Sequence, residues 1–320
     1  MRSEPIKATR TFAHFMMSIL PSALFFGRRQ DIFSGLPIPT FMKQTISRTV
    51  IVRLTAILIC ATSAAAIDLH PIAEVQSGYL FGATADGKWI KADEAAKELQ
   101  GEMTYHVYGL TQSLSEAKGG QPKPSEEDAC SNVLTVSLSP NPDEGAIALA
   151  APWNALPQKP QVIDPTQKVH VDAVRDFLKT KRIEQPKVNI ENILRVDLDG
   201  DGEEEVLISA TNYFSKDERI PMRSPAGSYS MVILRRIVSG KVETQLVEGE
   251  FYPKAYRDAK GDDSSFNAPN AYKVIAVLDL DGDGKMEIVV RSDYYEGGAT
   301  TIYRCNPKKI EELLSVSCGV

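Results

Sequence analysis

The stretch VLDLDGDGKMEIVV, residues 277–290, restates RVDLDGDGEEEVLI, residues 195–208. Each copy sets an acidic, glycine-punctuated phrase between two runs of β-branched and aliphatic residues, so each reads as strand, tight loop, strand. The carboxylates follow the same spacing, D-x-D-G-D-G-x-x-E, in both copies: Asp197, Asp199, Asp201 and Glu205, then Asp279, Asp281, Asp283 and Glu287. A hard cation such as Ca2+ takes roughly six to eight oxygens at 2.3–2.6 Å. Acids at loop positions one, three and five can converge on one point. The backbone carbonyl at position seven, Glu203 or Lys285, can add an oxygen, and the acid at position nine can close the shell. Gly202 and Gly284 at position six can take a positive φ without a Cβ clash. Mg2+ suits the pattern less, because it demands near-octahedral geometry and keeps its waters.

An EF-hand starts the same way but places its last acid at position twelve and a helix after it. Here position twelve is Ile208 or Val290, inside strand-like sequence. The simpler alternative, a soluble hairpin turn without an ion, is weakened by the repetition of one ligand spacing in an acidic chain.

Outward from the loops, each unit runs strand, acidic loop, strand, strand, strand. The first unit is expected at Ile190–Val196, Glu205–Ala210, Tyr229–Ile237 and Lys241–Val247. The second is expected at Tyr272–Leu278, Glu287–Ser292, Thr300–Arg304 and Ile310–Val316. This is an internal repeat. Two polar, turn-rich segments, 214–227 and 251–270, are where a partner-binding surface is expected.

These phrases resemble the FG-GAP or VCBS-type repeats of exported proteins, which also build the calcium-loaded β-propeller at the head of integrin α subunits. The resemblance is carried by residues 197–208 and 279–290 and extends over about 190–318. It implies a mainly β fold with minor α: two propeller-blade-like units with calcium loops, as a partial or degenerate β-propeller, plus an N-terminal mixed lobe. It also implies Ca2+ held by Asp197, Asp199, Asp201, the Glu203 carbonyl and Glu205, and by Asp279, Asp281, Asp283, the Lys285 carbonyl and Glu287. The chain departs from the family in ending each loop on Glu where Asp is usual. A closed ring needs at least four blades and two are legible, so an open arrangement packed on a separate lobe is expected.

The chain has 320 residues, 43% hydrophobic and 24% charged, enough for one or two ordinary cores. Residues 42–66 read as a signal peptide: Lys43, Arg48 and Arg53 start it, Leu54–Ala61 is apolar, and Ser63–Ala66 is small, with cleavage near Ala66. Residues 1–41 are then an upstream extension, with Met42 as the alternative start. The apolar run is shorter than the roughly 20 residues of a spanning helix, so no stable membrane span is expected after cleavage. Lipidation at Cys60 is disfavoured by Ile59, where a small residue is normally needed. The protein is expected to be secreted or periplasmic. The formal net charge is −6, and removing the basic leader makes the remainder more acidic still, which disfavours nucleic acid as a partner. Two of Cys130, Cys305 and Cys318 are expected to pair, the choice being open, and no zinc or redox spacing is present.

Residues 67–165 are expected to form the mixed β/α lobe and 166–320 the repeat domain. In the lobe, strands flank the Asp86-Gly87 turn, a helix covers Lys91–Gln100, and strands are expected at Tyr105–Leu110, Val133–Leu138 and Ala146–Ala150. Residues 116–128 read as an exposed loop, and the prolines between Pro152 and Pro165 as a boundary without strand or helix. The next helix, His170–Lys181, places Val171, Val174, Phe177 and Leu178 on one face, with His170 at the surface.

The functional expectation is a non-enzymatic, calcium-binding exported module for a protein or glycan. The alternative is a polymer-acting hydrolase or lyase that uses the loops as scaffold. His70, His106 and His170 are scattered, and no catalytic motif stands out. Acid pairs such as Asp262-Asp263, or Asp293 with Glu296, would serve the alternative, and Tyr294–Gly298 could offer a sugar platform or a strand end with its rings packed inward.

Overall fold

The computed structural model describes residues 68–213, 220–257 and 267–319. The expected signal peptide, the extension before it and Asp262-Asp263 lie outside these residues.

The chain opens with β1 (His70–Glu74), β2 (Leu80–Ala85), β3 (Lys88–Lys91) and α1 (Ala92–Glu98). It continues through β4 (Met103–Tyr108), β5 (Ser113–Gly119), β6 (Lys123–Pro124), β7 (Leu134–Thr135), β8 (Leu138–Ser139) and β9 (Ile147–Leu149). Seven of these strands form one antiparallel sheet in the order β3-β2-β1-β9-β4-β5-β8, and β6 pairs with β7. The segment expected as an exposed loop from Glu116 is strand up to Gly119. Its small inward residues explain the difference: Ala117 and Gly119 are buried, and a Cβ on Gly119 would meet the Tyr105 ring at 2.4 Å.

A second sheet holds β10 (Gln161–Ile163), β11 (Ile190–Val196), β12 (Glu205–Thr211), β13 (Ser228–Val238) and β14 (Lys241–Tyr252), paired in that order, with α2 (Lys168–Thr180) between β10 and β11. A short strand therefore lies among the prolines where none was expected, at a sheet edge where Pro160 and Pro165 flank it without breaking a ladder. The third sheet is the meander β15 (Ala271–Leu278), β16 (Glu287–Tyr294), β17 (Gly297–Asn306) and β18 (Lys309–Gly319). The repeat is visible in the register: Val196 pairs with Glu205 across the first acidic loop, and Leu278 with Glu287 across the second.

The sheets stack, and each central strand is apolar on both faces because both are covered. On one face of the second sheet, Val174 and Leu178 of α2 pack on Ile193, Ile208, Met231 and Ile233. On its other face, Leu194, Leu207, Val232 and Leu234 meet Val274, Ile288 and Val290 of the third sheet. The far side of the third sheet, with Ala276, Val289 and Ile302, packs on Ile72, Phe81, Ile147 and Leu149 of the first. α1 closes the remaining face through Ala95 and Leu99. Burying such side chains contributes about 1.5–3 kcal/mol each.

His170 is a correction: expected at the surface, it is 9% exposed, with Nδ1 lacking a hydrogen-bond partner among the described residues. Cys130 and Cys318 form the disulfide, and Cys305 is a buried free thiol. No helix among the described residues is long and apolar enough to cross a membrane.

Candidate metal centres

Both acidic loops are shaped by their first aspartate. Asp197 accepts from the amides of Gly200 (2.7 Å), Asp201 (3.2 Å) and Gly202 (2.9 Å). Asp279 accepts from Gly282 (2.7 Å) and Gly284 (3.1 Å). All four glycines have positive φ, which these turns require. The ninth-position acids reach back to the amide at position two: Leu198 donates to Glu205 at 2.9 Å and Leu280 to Glu287 at 3.0 Å.

In the first loop, one oxygen each from Asp197, Asp199 and Glu205 lie within 4.8 Å of one another, and in the second those of Asp279, Asp281 and Glu287 do the same. Asp201 and Asp283 stand outside these groups and accept from the amides of Glu203 and Lys285, both at 2.8 Å. Those two amides place Glu203 and Lys285 on the exposed rim of the turn. The clustered oxygens could hold a metal ion.

Electrostatics favours added positive charge at both places. Burial, then the neighbouring Asp199 and Asp201, hold the Glu205 carboxyl above the usual range against the Leu198 amide and Arg236. Asp279 is raised chiefly by burial and next by Asp281 and Asp283, opposed by its two glycine amides. Burial and Asp281 push Glu287 up to about 8, despite the Leu280 amide and Arg304. A cation would return these groups to the ionised form. Asp199 Oδ1 is buried without a hydrogen-bond partner among the described residues. A missing ligand at that oxygen fits a metal, so the donor set of the first loop suits a hard cation.

Sequence reasoning missed the partners of the second loop. Arg304 on β17 gives Nη2 to Asp281 and, at 2.9 Å, to Glu287, while its Nε reaches Glu287 at 3.1 Å. Trp153 donates Nε1 to the Asp279 carbonyl at 2.9 Å, the Asp279 amide donates to Ala155 at 2.9 Å, and Thr84 donates Oγ1 to Leu280 at 3.2 Å. The available signal was an arginine on the third strand of each unit. Val206 pairs with Arg235 and Ile288 with Tyr303, so Arg236 and Arg304 come one step further along, level with the ninth-position acids.

The other singled-out residues lie apart. His70 stands 3.9 Å from Asp68 and edge-on to Trp153, His106 is 3.4 Å from Glu116, and His170 is in α2. Asp293 is paired with Arg291 at 2.8 Å, and Glu296 is exposed. Tyr294 lays its ring against Gly319, while Tyr295 is exposed.

The family model for the FG-GAP repeat matches residues 272–303, from β15 through the second acidic loop into β17. No curated protein and no solved structure matches the chain. The chain thus carries an FG-GAP repeat, and Arg304, the residue after the matched stretch, closes its acidic loop.

Proposed function

We propose that this is an exported, calcium-binding module that recognises a protein or glycan without catalysis, the ion bracing the acidic loops. The observation that carries it is the cluster of Asp197, Asp199 and Glu205 oxygens within 4.8 Å, with Asp199 Oδ1 otherwise unpartnered. Oxygens on opposite sides of a Ca2+ ion bonded at about 2.4 Å lie about that far apart. FG-GAP repeats often bind calcium, which adds support. The ion would supply the charge that lets these carboxylates converge while ionised.

Export is supported by the leader-like residues 42–66 and by the Cys130–Cys318 disulfide, which suits an oxidising compartment. The protein recovered outside the cytoplasm should begin near Ile67 or Asp68 by mass spectrometry; an intact leader would contradict export by cleavage. A binding role is supported by a cavity of about 410 Å³ carrying Glu74, Arg291, Asp293 and Glu127, groups of both charges suited to a polar partner.

The decisive experiment is thermal unfolding in EDTA and across a calcium titration, with magnesium as control. Calcium should raise the midpoint in a concentration-dependent way, by about 2.7 kcal/mol of stability at 100 times Kd. An extracellular type of site saturates near 10⁻⁴–10⁻³ M, roughly. Identical midpoints in EDTA and calcium, with no metal in the purified protein, would sink the proposal.

A further inference from the structure

We infer that the two acidic loops are not equivalent: the first takes the divalent cation, and in the second the guanidinium of Arg304 stands in the cation's place. This rests on the calcium reading above and specifies which loop carries it.

The repeat places an arginine at the same step of each unit, but the stack treats the two differently. Arg236 is 3% exposed and donates Nη2 to the Cys305 carbonyl of the neighbouring sheet at 3.1 Å. Its Nε and Nη1 have no hydrogen-bond partner among the described residues, so it acts on Glu205 through its charge and makes no hydrogen bond to the first loop's carboxylates. Those carboxylates keep an open oxygen at Asp199.

Arg304 does the opposite. It engages Asp281 and Glu287, two of the three acids whose oxygens converge in the second loop, and its Nη2 lies 4.0 Å from Asp283. The Trp89 ring of β3, 5.8 Å from Arg304 Cζ, backs the guanidinium from the first sheet. A planar, permanently charged fork suits two carboxylates, and its charge-assisted bonds are the strong kind. The loop is also held by Trp153, Ala155 and Thr84, so it is ordered by the protein itself. A divalent ion entering there would have to displace Arg304 from its carboxylates and then sit beside its positive charge. The first loop is held more lightly among the described residues: its Leu198 carbonyl accepts from the Met286 amide, but a Cβ on Gly200 would meet nothing within 4 Å, whereas one on Gly282 would touch Trp153.

The test counts calcium per chain by equilibrium dialysis and titration calorimetry on the full protein at millimolar calcium. The wild type should bind one ion. Asp199→Asn should weaken that ion by roughly tenfold or more, and Asp281→Asn should leave it unchanged. Arg304→Gln should bind two. Should Arg304→Gln fail to fold, the Asp199→Asn and Asp281→Asn pair still decides the matter. Two ions in the wild type, or one lost on Asp281→Asn and kept on Asp199→Asn, overturns the inference and leaves calcium binding standing. No ion in any of these proteins overturns both.

Discussion

The amide of Met286 donates to the carbonyl of Leu198 at 2.8 Å, so the end of the second acidic loop is bonded to the second residue of the first. Leu198 lies between Asp197 and Asp199, which a bound cation would fix, and its own amide is held by Glu205. An ion at the first loop should therefore be felt at the second. Amide exchange at Met286 should slow on adding calcium, by up to about a hundredfold at 100 times Kd if its opening requires release of the ion. Exchange that ignores calcium would show that the loops open independently.

The second position of each D-G-D-G turn offers a comparison of two glycines with nearly the same backbone. Gly200 has φ +76° and open space around it; Gly282 has φ +78°, and its Cβ would lie 3.1 Å from the Trp153 ring. Gly200→Ala should cost about 1–2 kcal/mol for the left-handed backbone alone. Gly282→Ala should cost about 1–3 kcal/mol more, because Trp153 is pinned by its bond to the Asp279 carbonyl and yields poorly. Urea unfolding of both variants checks this, and equal losses would mean that the indole is free to move aside.

Burial, and secondarily Arg235, hold the His170 imidazole below its usual value. The unfolded chain then binds a proton near pH 6.5 that the folded chain refuses. Its contribution to stability is full above that pH and is lost as the pH falls below it. His170→Gln should flatten the decline in unfolding midpoint between about pH 7 and 5 relative to wild type. Parallel declines in the two proteins would remove His170 as a cause.

The legible parts of this chain are those in which one local rule governs. The strands on either side of the acidic loops were readable because both of their faces are buried, which makes them continuous apolar runs such as Ile288–Val290. The α2 stripe was readable because Val174 and Leu178 point at one sheet. β14 runs to Tyr252, five residues past its expected end, through VEGEFY, where Glu250 accepts from the Tyr272 hydroxyl of β15 and Glu248 from the Tyr303 hydroxyl of β17. Polar residues there satisfy distant partners, and no periodicity records that. Likewise, the loop acids were visible and Arg304 was not, since its role depends on strand register and on Trp89 from the far end of the fold. The choice of Cys130 and Cys318 over Cys305 follows from the order in which the sheets stack, which also lies outside local sequence.

The Cys130–Cys318 bond joins positions 188 residues apart, one beside the first sheet and the other near the end of β18. If the chain is exported as proposed and delivered from its N-terminus, Cys130 reaches the oxidising side before its partner. It would then wait as a thiol until β18 arrives. β18 thus acts as a latch on the first sheet, tying a segment near its far end back across 188 residues to the start of the stack.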